Sequence, residues 1–122
     1  MKIKNIKFKP KQLNSGKWFE GDLVRLGNRV CIGGDHIKDG ITDVDPSTVC
    51  MFTGLKDCEG NEIWEGDIIS SPHFERVATV KWDDSLCGFK CSDVTGNINF
   101  SFTAIAHCSE WSIVGNKFDK KK

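Results

Sequence analysis

Apolar and polar residues alternate along much of this chain, with a period of two. In "RVATVKWD", Val77, Thr79 and Lys81 fall on one side of an extended backbone, and Ala78, Val80 and Trp82 on the other. Successive side chains of a strand point to opposite faces, so this stretch predicts a half-buried strand. "IWEGDIIS" predicts its partner. "FEGDLVRLG" and "RVCIGG" flank Gly27-Asn28, a two-residue turn signal, and predict a hairpin. "GFKCSDV" and "NINFSFTAI" flank Thr95-Gly96-Asn97 and predict another. There Asn97, Asn99 and Ser101 share one face and Ile98, Phe100 and Phe102 the other, giving a sheet with one apolar side. "EWSIVGN" predicts a last strand that closes a sheet. "KIKNIKF" predicts a first strand whose alternation slips once, at Asn5. Turn residues interrupt the pattern about every eight to twelve residues, which is the texture of an all-β protein.

One segment differs. "GDHIKDGITDVDPSTVCMFTGL" has no clean period and reads as an ordered crossover between two halves. Within it, Asp45-Pro46-Ser47-Thr48 predicts a single helical turn, with Asp45 as cap and Pro46 in the first position.

A phrase is also written twice. "KWFEGDLV" runs from Lys17 to Val24 and "EIWEGDII" from Glu62 to Ile69, with Phe19 aligned on Trp64. The mechanical reading makes Gly21 and Gly66 sites of a bulge or of positive φ. A strand then begins after Asp22 and Asp67, whose side chains can cap backbone N–H groups. A pair of catalytic aspartates is the competing reading, but neither phrase brings a polar partner at a fixed spacing. The second copy, continued by "VATVKWDDSLCGFKC", looks like the start of an SH3-like barrel. The expected fold is mainly β: a single domain over 1–122, with a small N-terminal β region over 1–55 and an SH3-like β-barrel over about 60–116.

Charge refines this picture. The chain has 122 residues and zero net charge, but residues 1–17 carry six Lys and no acid. Residues 117–122 carry four Lys and one Asp, and the stretch 18–116 is net −9. The basic ends read either as solvating tails or as a nucleic-acid contact through Lys2, Lys4, Lys7, Lys9 and Lys120–Lys122. The acidic middle disfavours a broad nucleic-acid face. No apolar run approaches the roughly 18 residues that span a bilayer. "MKIKNIKFKPK" has no apolar core of a secretion signal, so a cytoplasmic location is expected.

The six cysteines, at positions 31, 50, 58, 87, 91 and 108, contain no C-x-x-C pair. The nearest approach, Cys87 and Cys91, is about 13 Å apart on a strand and would need a turn at Gly88 to meet one metal. Reduced thiols, no metal and no cofactor are expected. His36, His73 and His107 lack companion motifs, and His107 and Cys108 are strand neighbours that face apart. A magnesium nuclease needs clustered acids, and "DGITDVD" offers Asp39, Asp43 and Asp45. No phosphate loop, serine-hydrolase elbow, zinc-protease or dinucleotide fingerprint is present, so no catalytic residue is assigned and the chain is not expected to be an enzyme.

Three stretches together resemble one family. "IKFKPKQLNSGKWFEGDLV", "VDPSTVCMFTGLKDCEGNEIWEGDII" and "WSIVGN" resemble, in order, the YopX family of phage and prophage proteins. The stretch from Val44 to Ile69 carries the most specific part, including Gly54 of "FTGL". Departures are Cys50 and Met51 where that family usually has Gly and Gln, Cys58 where a Lys is common, Lys9 for Arg, and Trp64 for Tyr. The resemblance implies a phage- or prophage-encoded β protein in a bacterial host, with no catalytic residues to carry over. Gly21, Asp22, Gly54, Gly66 and Asp67 then read as parts of the fold.

Three classes of function follow. The favoured one is a non-enzymatic accessory module that binds another macromolecule, a host or phage protein, in a groove lined by Phe74, Arg76, Trp82 and Phe89. Phe74 lies in "SSPHFER", between strands, where an aromatic is harder to bury; core packing competes for Trp82 and Phe89. The alternative is a structural or homo-oligomerising protein that pairs an edge strand such as "INFSF". Nucleic-acid binding by the basic ends stays possible and is not favoured.

Overall fold

The computed structural model describes residues 3–72, 74–93, 99–101 and 111–119, with the backbone alone at 74–76 and 99–101. Eleven strands run through the described residues: β1 (Phe8–Lys9), β2 (Asp22–Leu26), β3 (Arg29–Gly33), β4 (Ile41–Asp43), β5 (Cys50–Lys56), β6 (Glu62–Trp64), β7 (Asp67–Ser71), β8 (Phe74–Asp83), β9 (Gly88–Asp93), β10 (Asn99–Ser101) and β11 (Ser112–Asn116). Single 3-10 turns cover Ile3–Asn5, Lys38–Gly40 and Pro46–Thr48. Among the described residues there is no α-helix, and none is long and apolar enough to cross a membrane. The chain divides into two compact units, Met1–Phe52 and Thr53–Lys122.

In the first unit β2, β3 and β4 form an antiparallel sheet. Leu26 pairs with Arg29, so the loop is the two residues Gly27-Asn28. Gly27 sits at φ 60 while Asn28 does not take positive φ, the signature of a type II′ turn that matches the twist of its strands. Ile32, Ile37 and Val44 are buried against Phe8, Phe19, Val30 and Val49. Each such side chain contributes about 1.5–3 kcal/mol when fully withdrawn from water. Asp45 caps the 3-10 turn, its Oδ1 accepting the Ser47 N–H at 3.0 Å, as the Asp-Pro-Ser-Thr pattern predicts.

In the second unit five antiparallel strands lie in the order β10-β9-β8-β7-β11. Ile69 faces Ala78, and Val80 faces Cys91. These residues, with Ile63 and Trp111, form its core. The alternation read in "RVATVKWD" is realised directly: Ala78 and Val80 are buried, and Val77, Thr79 and Lys81 are half-buried on the other face. β11 is fixed at two places. It pairs with β7, and Asp57 reaches it from the turn between β5 and β6. Asp57 Oδ1 accepts from Glu59 and Asn61 N–H (2.9 and 2.8 Å), and its Oδ2 from Ile113 N–H at 3.1 Å. No sheet closes into a barrel among the described residues.

Three expectations need correction. "KIKNIKF" is a 3-10 turn followed by a two-residue strand, because Ile3 and Ile6, three apart, suit a turn closed by Ile6 N–H on Ile3 O at 2.9 Å. "IWEGDIIS" is two strands, not one: Gly66 takes φ 89 and breaks it into β6 and β7. The aperiodic crossover contains β4, three residues long, and nearly all of β5, whose alternating burial puts Cys50 and Phe52 inside while the small or polar Thr53 and Gly54 blur the apolar pattern. Thr95-Gly96-Asn97 lies outside the described residues, as do His73, His107 and Cys108.

Candidate functional site

The two copies of Glu-Gly-Asp start strands by different means. Gly66 supplies positive φ, and its N–H donates to Val80 O at 2.7 Å. Asp67 beside it is only 4 % exposed. Its Oδ2 accepts the Trp64 N–H at 2.8 Å and its Oδ1 the Asn116 side-chain amide at 3.0 Å. Gly21 has no positive φ. It is glycine because a Cβ there would sit 2.2 Å from the Gly33 carbonyl oxygen. Asp22 points into solvent at the start of β2. Gly54, at φ 87, has open space around it. Gly21 and Asp22 border an open groove of the first unit, while Gly66 and Asp67 shape the turn between β6 and β7.

The binding residues read from sequence separate into two groups. Trp82 and Phe89 are register partners across β8 and β9. Their rings meet edge to face, centroids 5.2 Å apart at 83°, a geometry favoured by aromatic quadrupoles. Phe74 and Arg76 begin β8; their side chains lie outside the description. Of the four, Trp82 and Phe89 are brought together at one end of β8.

The hairpin tip is built around Asp83. β8 continues past its buried Val80, so Trp82 emerges from the core at 41 % exposure. Asp83 pairs with Gly88, leaving Asp84-Ser85-Leu86-Cys87 as the loop. Asp83 Oδ1 accepts from Ser85 Oγ (2.6 Å), Ser85 N–H (2.9 Å) and Leu86 N–H (3.3 Å), and Oδ2 meets Lys90 Nζ at 2.9 Å. The Ser85 hydroxyl, then Lys90, hold this carboxyl well below the usual range. The Trp82 indole N–H donates to Asp84 Oδ1 at 2.7 Å. Leu86 beside it is 63 % exposed. Phe89 is half-buried, packed on the core of the second unit.

Asp83 and Asp84 were not singled out by sequence reasoning, although Asp-x-Ser in "DDSLCG" is a visible signal for an Asx turn. Asn116 had no local signal, because its partner Asp67 is 49 residues away. The acids Asp39, Asp43 and Asp45 do not gather: Asp43 instead accepts from Arg29 (2.8 Å) and from the Cys31 thiol (3.0 Å), and Asp45 serves the 3-10 turn. Cys87 is exposed in the hairpin loop, and Cys91 is buried in β9. Among the described residues no three His, Cys, Asp or Glu side chains are grouped to hold a metal.

The arrangement at the tip can present a fixed aromatic surface; it offers no nucleophile with a base. No curated protein matches the chain. The family described as YopX protein matches residues 7–121, and over nearly its whole length the chain thus belongs to the YopX protein family.

Proposed function

We propose that this chain is a non-enzymatic accessory module of a phage or prophage, acting in the cytoplasm of the bacterial host by docking a partner protein. The observation that carries this reading is Trp82, a large aromatic held outside the core and locked by Asp84 and Phe89. An aromatic already fixed in place loses little rotamer freedom on binding, so its buried area converts efficiently into affinity. Exposed Leu86 extends the apolar surface. The strand order also supports SH3-like closure over residues 60–116. The meander β7-β8-β9-β10 has its fifth strand returned beside its first, and β8, at ten residues, is long enough to serve both halves of a folded-over sheet.

The test is affinity capture with the full chain, comparing wild type, Trp82→Phe and Trp82→Ala. A specific protein held by the first two should be lost with the third, since truncating an anchoring aromatic costs about 2 kcal/mol or more, at least a 20-fold loss. An identical captured set for all three removes the tip from consideration.

A further inference from the structure

We propose that Trp18 and its flanking lysines form a binding site for single-stranded nucleic acid. This goes beyond the docking reading above and uses none of its residues. Two stretches of the first unit run antiparallel. Phe8 and Gly21 exchange hydrogen bonds of 3.0 Å, Phe19 N–H donates to Pro10 O at 3.0 Å, and Gln12 N–H to Lys17 O at 2.8 Å. Lys11 is paired with Trp18 across this ladder, and Lys9, two residues earlier, shares its face. Both ammonium groups approach the same indole: Lys9 Nζ lies 5.3 Å and Lys11 Nζ 5.2 Å from its centroid. Attraction to the ring quadrupole holds them there. From Ile3 to Phe19 the chain supplies five lysines and no acid. A base stacking on this half-exposed indole would take the place of the two ammonium groups over it, which then meet the flanking phosphates.

An open groove of ≈ 670 Å³ adjoins this ring. Trp18 and Phe19 line it together with Lys4, Lys7, His36 and the two acids Glu20 and Asp22. Lys7 is paired with Glu20 at 3.0 Å, so the groove is no phosphate site of its own. With Glu20 and Asp22 on its wall it suits an uncharged base, and leaves the phosphates to Lys9 and Lys11 outside it. In a duplex the base faces are covered by their neighbours, so a stacking ring selects the single strand.

Fluorescence anisotropy of the full chain with a labelled oligothymidylate of about fifteen residues tests this. Binding at about 50 mM salt should weaken as salt rises. Trp18→Ala should weaken it on the order of 10-fold or more, and Trp18→Phe should restore most of that. The double variant Lys9→Gln, Lys11→Gln should flatten the plot of log affinity against log salt by roughly 1.4, about 0.7 for each phosphate no longer neutralised. Those two lysines are not in the buried core, so the double variant decides if Trp18→Ala fails to fold. Trp82→Ala should leave the binding unchanged, which separates failure here from failure of the docking reading. The proposal is overturned by no retention at about 50 mM salt, by tighter binding of the matching duplex, or by affinity that survives the lysine variant but is lost on deleting Lys120–Lys122.

Discussion

Asp67 shows how a repeated tripeptide is put to use at a single residue. Its two oxygens each receive a donor, the Trp64 backbone and the Asn116 amide, in a site almost closed to water. Asp67→Asn replaces one of those oxygens with an NH₂ group. In either orientation that group meets a donor, so one buried hydrogen bond is lost and two donors confront each other. The expected loss is about 1–3 kcal/mol in urea denaturation, with any partner still bound by the folded fraction. A variant as stable as wild type that no longer binds would make Asp67 a site residue. In the sequence the two aspartates of the repeat look alike. In the fold Asp67 is buried between the Trp64 N–H and the distant Asn116 while Asp22 is exposed, and a partner 49 residues away is not written in local pattern.

At the scale of elements, legibility followed period and turn chemistry. β8 could be read because five of its positions alternate cleanly, and β2–β3 because Gly27-Asn28 fixes a two-residue loop. The break at Gly66 was legible in the repeated phrase, but the short β6 before it was not, since the apolar pattern continues across the positive φ. The ladder beside Trp18 was equally hidden, for isolated bridges carry no period. The β8–β9 loop contains a further backbone feature: Cys87 occupies left-handed space at φ 51. A side chain there costs roughly 1–2 kcal/mol. Cys87→Gly should therefore raise stability by up to about 1 kcal/mol after the greater freedom of unfolded glycine is subtracted. Cys87→Val, branched at Cβ, should lower it. Urea midpoints for the pair read the difference, and movement in the opposite directions would contradict the loop geometry.

For the whole molecule, titration brackets the stable range. In Asp57, burial raises the carboxyl, but the N–H groups of Asn61, Ile113 and Glu59 outweigh it and hold it low. The Cys31 thiol and then Arg29 do the same for Asp43, and Ser85 and Lys90 for Asp83. A carboxylate lowered in the folded state contributes stability above its unfolded pKa of about 3.9, and that contribution is lost as pH falls. Burial pushes the Cys91 thiol up to about 12. Its contribution is full below the unfolded value of about 8.5 and is lost as pH rises toward 12. Melting temperature should thus fall on both limbs. Asp57→Asn should flatten the acid limb, and an unchanged acid limb would mean that Asp57 is not held as described. The position of β11 has a consequence for synthesis. Its partner β7 leaves the ribosome some 45 residues earlier, and so does the Asp57 that receives Ile113, separated from it by 56 residues. Until Ser112–Asn116 emerge, the nascent second unit carries an unpaired β7 edge and an unfilled carboxylate. Pairings this far apart in sequence form slowly, and an open edge invites pairing with other chains. A ribosome stalled before Ser112 would display a strand edge that the finished protein conceals.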